Sequence, residues 1–217
     1  MSLDKKLVKT DERKTNMARK KAVKKPEAAE KIIIPAITIS TLSVKITGDS
    51  PLICHKWSEK AKQEMRDKQM KKAKAPKEAK DPDQCFRDSL YEHPDGGYGF
   101  PAIAFKASAV QACSHIDGVT KVLARGAFHI DCELVKINGT PTMREDMVKI
   151  GNGIADLRYR GEFKQWSTEF QIRFNPNILS KEQILNLFNM AGFSCGIGEW
   201  RPQRDGSFGM FHVDMAG

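Results

Sequence analysis

The stretch from Trp166 to Val213 constrains the fold of this chain more than any other. "WSTEFQIRF" sets Trp166, Phe170, Ile172 and Phe174 against Ser167, Glu169, Gln171 and Arg173. That period of two marks a half-buried strand. "SKEQILNLFNMAG" then reads as an amphipathic helix. Ser180 and Gln183 fit a capping box, Ile184, Leu187, Phe188 and Ala191 form the apolar stripe, and Gly192 is expected to close the C-terminus. "SFGMFHV" follows as a strand. A strand, a crossover helix and a second strand place a sheet under one helical layer.

The first half supplies a counterpart. In "IIIPAITISTLSVKITG", Ile37 and Ile39 share one phase while Leu42, Val44 and Ile46 share the other, which predicts a bulge near Ser40–Thr41. "AIAFKASAVQACSHI" is predicted as a buried helix, with Phe105, Ala109 and Ala112 on one face beside Val110 and Cys113. "AFHIDCELVKI" is predicted as one strand, turning Phe128, Ile130, Cys132 and Leu134 inward. The order is therefore strand, helix, strand, strand, helix, strand. This is an α+β chain on the ferredoxin-like βαββαβ plan that RNA-recognition modules share.

Two insertions interrupt the plan, at about 49–100 and 138–165. The first opens with "WSEKAKQEMRDKQMKKAKAPKEAK", a helix-prone stretch capped by Ser58. It lacks an apolar stripe, so it should project from the body or order on a ligand. A short helix follows, then a loop where Pro94, Gly96, Gly97, Gly99 and Pro101 argue against regular structure. The second carries turn signals at Asn138–Gly139 and Gly151–Gly153 and reads as a hairpin. The expected organisation is a disordered basic arm over 1–31 and a single domain over 32–217.

Charge is uneven along the chain. Residues 1–31 hold eleven Lys/Arg against five Asp/Glu, and residues 56–80 hold ten against four. Those two segments exceed the chain's net +9, so the rest is slightly acidic. Localised basicity suits a polyanionic partner, most simply nucleic acid, although a solubilising surface has the same composition. No apolar run is long enough for a membrane span, and the basic, polar N-terminus does not resemble a signal peptide. Five scattered cysteines without a CxxC pair point to a reduced, cytoplasmic protein with no zinc knuckle or disulfide framework.

The connection "CGIGEWRPQRDGSFGMFHV" is the main candidate for chemistry. Gly196, Gly198, Gly206 and Gly209 permit left-handed backbone, and exposed amides in such loops bind phosphate. Arg201 and Arg204 add charge, and Trp200 suits base stacking or a neighbouring subunit. The competing explanation is a loop fixed by packing with Trp200 buried. Arg158 and Arg160 around Tyr159 combine phosphate contact with stacking; a strand with Tyr159 inward fits equally. His55, Lys56, Trp57, Lys60 and Lys62 suit a phosphate track or a solvated helix face, and Lys106 joins the candidate contacts. His129 with Asp131, and His212 with Asp214, fall two apart on strand faces. None of the five histidines has a catalytic partner legible in sequence, and no motif for a nucleotide, metal or cofactor occurs, so catalytic and metal residues are expected to be absent.

On "MAGFSCGIGEWRPQRDGSFGMFHV" the chain resembles the RAMP superfamily of CRISPR-associated proteins, with helix end, G-x-G, basic stretch, G-x-x-G and aromatic strand in order. "VKITGDSPLICHKWSEKAK" is similar to the first strand and turn of that superfamily's backbone subunits, and the insertions fall where those subunits build finger and thumb elements. The resemblance implies non-catalytic binding of single-stranded nucleic acid, RNA over DNA, with copies side by side along the strand. It implies CRISPR-type subunits as further partners and fits a virus- or plasmid-encoded relative. Two alternatives stand beside it: a metal-independent endoribonuclease using His55, and a viral module that binds a CRISPR complex through protein contacts.

Overall fold

A computed structural model of the chain describes residues 34–73, 79–151 and 153–214. The basic arm expected over 1–31 lies outside the described residues. The chain divides into Met1–Ala36 and Ile37–Gly217, and every element below belongs to the second unit.

β1 (Ser40–Gly48) is followed by β2 (Leu52–Cys54), the helices α1 (Glu59–Gln69) and α2 (Pro82–Ser89), and a small hairpin of β3 (Tyr91–Glu92) and β4 (Tyr98–Pro101). The helices α3 (Ala102–Ala112) and α4 (Lys121–Ala127) lead into β5 (Phe128–Ile130) and β6 (Leu134–Asn138). A long hairpin, β7 (Pro141–Ile150) and β8 (Ile154–Phe163), precedes β9 (Ser167–Phe174), α5 (Lys181–Ser194) and β10 (Phe211–Val213).

The larger sheet runs β10-β1-β9-β6-β4-β3, with β5 also on β9, and all its pairings are antiparallel. β1, then β5 with β6, then β9 and β10 are the four strands of the ferredoxin-like core, lying in the order fourth, first, third, second. The β3–β4 hairpin extends its edge. A second, three-stranded sheet joins β2, β8 and β7.

One face of the larger sheet carries the core. Leu42, Val44 and Ile46 of β1 and Phe170, Ile172 and Phe174 of β9 are buried with Phe105 of α3 and Ile184, Leu187 and Phe188 of α5. The Phe105 ring lies 5.2 Å from Phe170 and 5.8 Å from Phe211. Small residues let the two helices approach: Ser108 Oγ donates to the Ala191 carbonyl at 3.3 Å. The opposite face is polar, with Thr41, Ser43 and Lys45 across from Arg173, Gln171 and Glu169, all exposed. RNA-recognition modules stack bases on aromatics of such a face, and none of these six positions is aromatic.

α1 has no buried residue, as its missing stripe predicts, and Ser58 Oγ accepts the Ala61 N–H at 3.2 Å as its cap. The capping box at Ser180 and Gln183 is complete, and 141–163 is a hairpin.

Four local expectations change. β1 pairs with β9 without interruption from Ser40–Phe174 to Thr47–Ser167, so there is no bulge at Ser40–Thr41; Ile37 and Ile39 precede the strand and are exposed. The strand predicted over 127–137 breaks at 131–133. Ile130 pairs with Ile172 but Ile137 with Thr168, a shift of three residues that reverses the inward phase. Cys132 is exposed and Val135 and Ile137 are buried instead. Gly96 and Gly97 turn the β3–β4 hairpin at φ +82° and +80°, so this glycine-rich stretch builds regular structure. Gly192 does not end α5, which runs on to Ser194. A Cβ there would stand 1.8 Å from the Phe211 carbonyl oxygen, so close packing of β10 is what requires glycine; Gly196, at φ +63°, takes the left-handed terminal position.

Candidate nucleic-acid interface

The connection from α5 to β10 is a closed loop tied to β2 and the turn before it. Gly196 N–H donates to Ala191 O at 2.8 Å, Ile197 to Gly209 O at 3.0 Å, Glu199 to Ile53 O at 3.1 Å and Gly209 to Pro51 O at 2.8 Å. Gln203, Arg204, Asp205, Gly206 and Phe208 donate within the loop, and Met210 to Ser50 Oγ. Most of the amides read from sequence as phosphate ligands therefore hold the loop together instead. A backbone buried beside β2 must satisfy its donors internally, in keeping with the competing explanation of a loop fixed by packing, although Trp200 is not buried. Ile197, 1% exposed, anchors the loop in the core.

This closure fixes Trp200 outward. Its φ is +55°, and it is 42% exposed. A bulky residue in left-handed backbone is an outlier that costs about 1–3 kcal/mol and persists only where its surroundings impose it. Gly206 is part of that imposition, since a Cβ there would come within 1.7 Å of the Trp200 carbonyl oxygen. Trp200 is thus neither buried nor loose.

Beside it lies a cleft of about 250 Å³ between the loop and α3. Tyr91, Phe100 and Ala104 form an apolar wall, and His55, Glu199, Arg201 and Gln203 a polar rim, while Gly196 and Gly198 line its floor. His55 Nδ1 stands 3.2 Å from Glu199 Oε1. That bond, against the opposing effect of partial burial, holds the Glu199 carboxyl below the usual carboxylate range, with charge from His55, Arg160 and Arg201 adding to it. Arg201 Nη1 donates to Gly198 O at 2.9 Å and Nε to Gln203 Oε1 at 3.2 Å. Arg204 is exposed.

The structure gathers His55, Arg201, Gly196 and Gly198 at this cleft; Trp200 stands in the chain between Glu199 and Arg201, which line it, and Trp57, 53% exposed, is two residues along from His55. Lys56 is half-buried, its N–H bonded to Ser89 O, and Lys60 is exposed on α1.

The remaining candidates lie elsewhere. Lys106 Nζ approaches His129 Nδ1 at 3.1 Å over the Phe128 ring, and burial pushes its pKa down. On the three-stranded sheet, Arg160 is 6% exposed and bonds Asp146 at 3.2 Å, so it is not an accessible phosphate ligand. Asp146 also takes Arg144 Nε at 2.8 Å, and Arg144 Nη1 reaches Glu162 at 2.8 Å. Arg158 pairs with Asp156 at 2.9 Å, and Tyr159 is half-buried opposite Glu145. Every arginine of this hairpin faces a carboxylate, which the sequence reading of Arg158–Tyr159–Arg160 overlooked. The signal was there: opposite charges two apart at 144 and 146, at 156 and 158, and at 160 and 162. Phe208 links this sheet to the loop, its ring centroid 4.8 Å from the Arg144 guanidinium. Tyr91 and Glu199 escaped the sequence reading because their roles depend on a meeting of distant segments.

His212 Nδ1 lies 2.6 Å from Asp49 and its Nε2 3.4 Å from Asp214 at the sheet edge, whereas Asp131 pairs with Arg173 rather than His129. No helix among the described residues is long and apolar enough to cross a membrane.

No protein-family model matches the chain, and no curated protein matches its sequence. Among solved structures, the crystal structure of Cmr6 from Pyrococcus furiosus superposes with a TM-score of 0.43 over 82% of this chain and 99% of that one, at 10% identity. A likeness at that score carries no inference about function.

Proposed function

We propose that this is a non-catalytic protein that binds single-stranded nucleic acid, RNA in preference to DNA, along the lip formed by the glycine-arginine loop. The carrying observation is Trp200, held in left-handed backbone with two-fifths of its surface in water. An exposed aromatic with a fixed backbone, in the same loop as the exposed Arg204, is a stacking platform with a cation for the phosphates. Stacking is worth about 1–3 kcal/mol per base and tolerates any sequence. The polar α1, which has no buried residue, extends the basic track, and copies of the protein set side by side would continue it along a strand.

Fluorescence anisotropy with labelled oligonucleotides tests this. Affinity is expected to fall steeply with salt, because counterions leave the phosphates on binding. Arg204→Ala should lower the slope of log affinity against log salt by about 1 while leaving the thermal midpoint unchanged. Arg201→Ala is the less clean variant, since Arg201 also bonds Gly198. An unchanged slope for Arg204→Ala removes the loop from the interface. EDTA-resistant cleavage of labelled RNA that His55→Ala abolishes would favour the endoribonuclease alternative instead.

A further inference from the structure

The cleft beside Trp200 has two unlike sides, an apolar wall of Tyr91, Phe100 and Ala104 and a polar rim of His55, Glu199 and Arg201. Its volume of about 250 Å³ lies below the ~300 Å³ at which pockets for drug-sized ligands begin. A flat ring with an apolar face and a polar edge matches such a space. Bases turned out of a strand are held this way, stacked against side chains and bonded along their edges.

The rim discriminates among bases. An ionised carboxylate only accepts hydrogen bonds and has about four lone-pair sites. His55 occupies one on Glu199, and holding the group ionised leaves the others for a ligand. Arg201 uses Nε and one N–H of Nη1 within the loop, leaving three of its five N–H groups. The cleft is therefore lined by a carboxylate acceptor and, two residues along, a guanidinium donor. Guanine carries N1–H and N2–H side by side with O6 next to them, the complement of that arrangement. Adenine and cytosine put a ring-nitrogen lone pair beside their amino group, and uracil flanks N3–H with two carbonyls. Each of those sets a lone pair against the carboxylate.

We propose that this cleft is a guanine pocket, with Glu199 accepting from N1–H and N2–H and Arg201 donating to O6. The assignment rests on the single-strand reading only for the source of the base, since a free guanine nucleotide fits the same cleft. It adds one base preference to an otherwise sequence-tolerant contact.

Calorimetric titration of the full chain with GMP, AMP, CMP and UMP tests it, alongside anisotropy with an all-adenine 12-mer and the same 12-mer carrying central guanines. GMP should bind about ten-fold more tightly than AMP, the low end of what one bidentate base contact supplies. The guanine-bearing strand should outbind the adenine strand by a similar factor. Glu199→Gln, at a half-buried position, should erase both preferences while the adenine 12-mer binds within about two-fold of wild type. Ala104→Leu, which fills the cleft from its other wall, should abolish GMP binding and spare the adenine strand, a check independent of how Glu199→Gln folds. Equal affinity for GMP and AMP, or a guanine preference that survives Glu199→Gln, overturns the pocket. Adenine-strand binding without guanine preference overturns the pocket alone. GMP selectivity without binding of any strand supports the pocket as a nucleotide site and overturns the strand reading.

Discussion

The two sheets of this protein differ in what they bury. The larger one packs Phe105, Phe170, Phe188 and Phe211 between strands and helices, with almost no polar side chain among them. The smaller one adds Leu52, Cys54 and Phe163 to that core and also buries the charged Arg160, Asp146 and Glu162, with Arg144 linking the two carboxylates to Phe208 of the loop. Apolar packing is non-directional and supplies stability. Paired charges supply little net stability, but each demands a particular partner in a particular place. The first arrangement suits a scaffold. The second suits a support that must hold one loop, and through it Trp200, in one position.

Phe105→Ala should have the largest effect. It removes the ring at the centre of the aromatic cluster and should cost about 3–5 kcal/mol, read as a lowered denaturant midpoint. Asp146→Ala comes next, at about 3 kcal/mol, because it leaves the Arg160 guanidinium buried without its carboxylate. The double change Asp146→Leu with Arg160→Met should recover most of that loss. A double variant as unstable as the single would show that the pair contributes stability outright, and would erase the contrast between the sheets. Phe208→Ala is the mildest, about 1 kcal/mol from the lost cation–π contact. It should weaken oligonucleotide binding more than it lowers the melting point, since the ring touches the support of the loop and not the main core.

Much of the larger sheet was legible because its signals are local. The alternation of 166–174 and the Ser180–Gln183 box depend on neighbours within a few residues, and both appear as read. Errors arose where partners far along the chain decide. The phase of 128–137 follows from how two short strands share β9, and Gly192 from the approach of β10. The loop was identified correctly as a distinctive element, but its amides turn inward to segment 50–53, a contact that no local pattern announces. The meeting of His55 with Glu199 spans 144 positions and was equally hidden.

The most direct test of the account is tryptophan emission during oligonucleotide titration. The chain has three tryptophans: Trp57 and Trp200 are exposed, and Trp166 is 4% exposed with its indole N–H on Ser50 O. Stacking on the lip predicts saturable quenching at low salt that is largely lost in a Trp57→Phe/Trp200→Phe variant. The apparent affinity should fall about ten-fold between roughly 50 and 200 mM salt. Emission that stays constant at oligonucleotide concentrations where anisotropy shows the strand bound, or quenching that persists in the double variant, would contradict it.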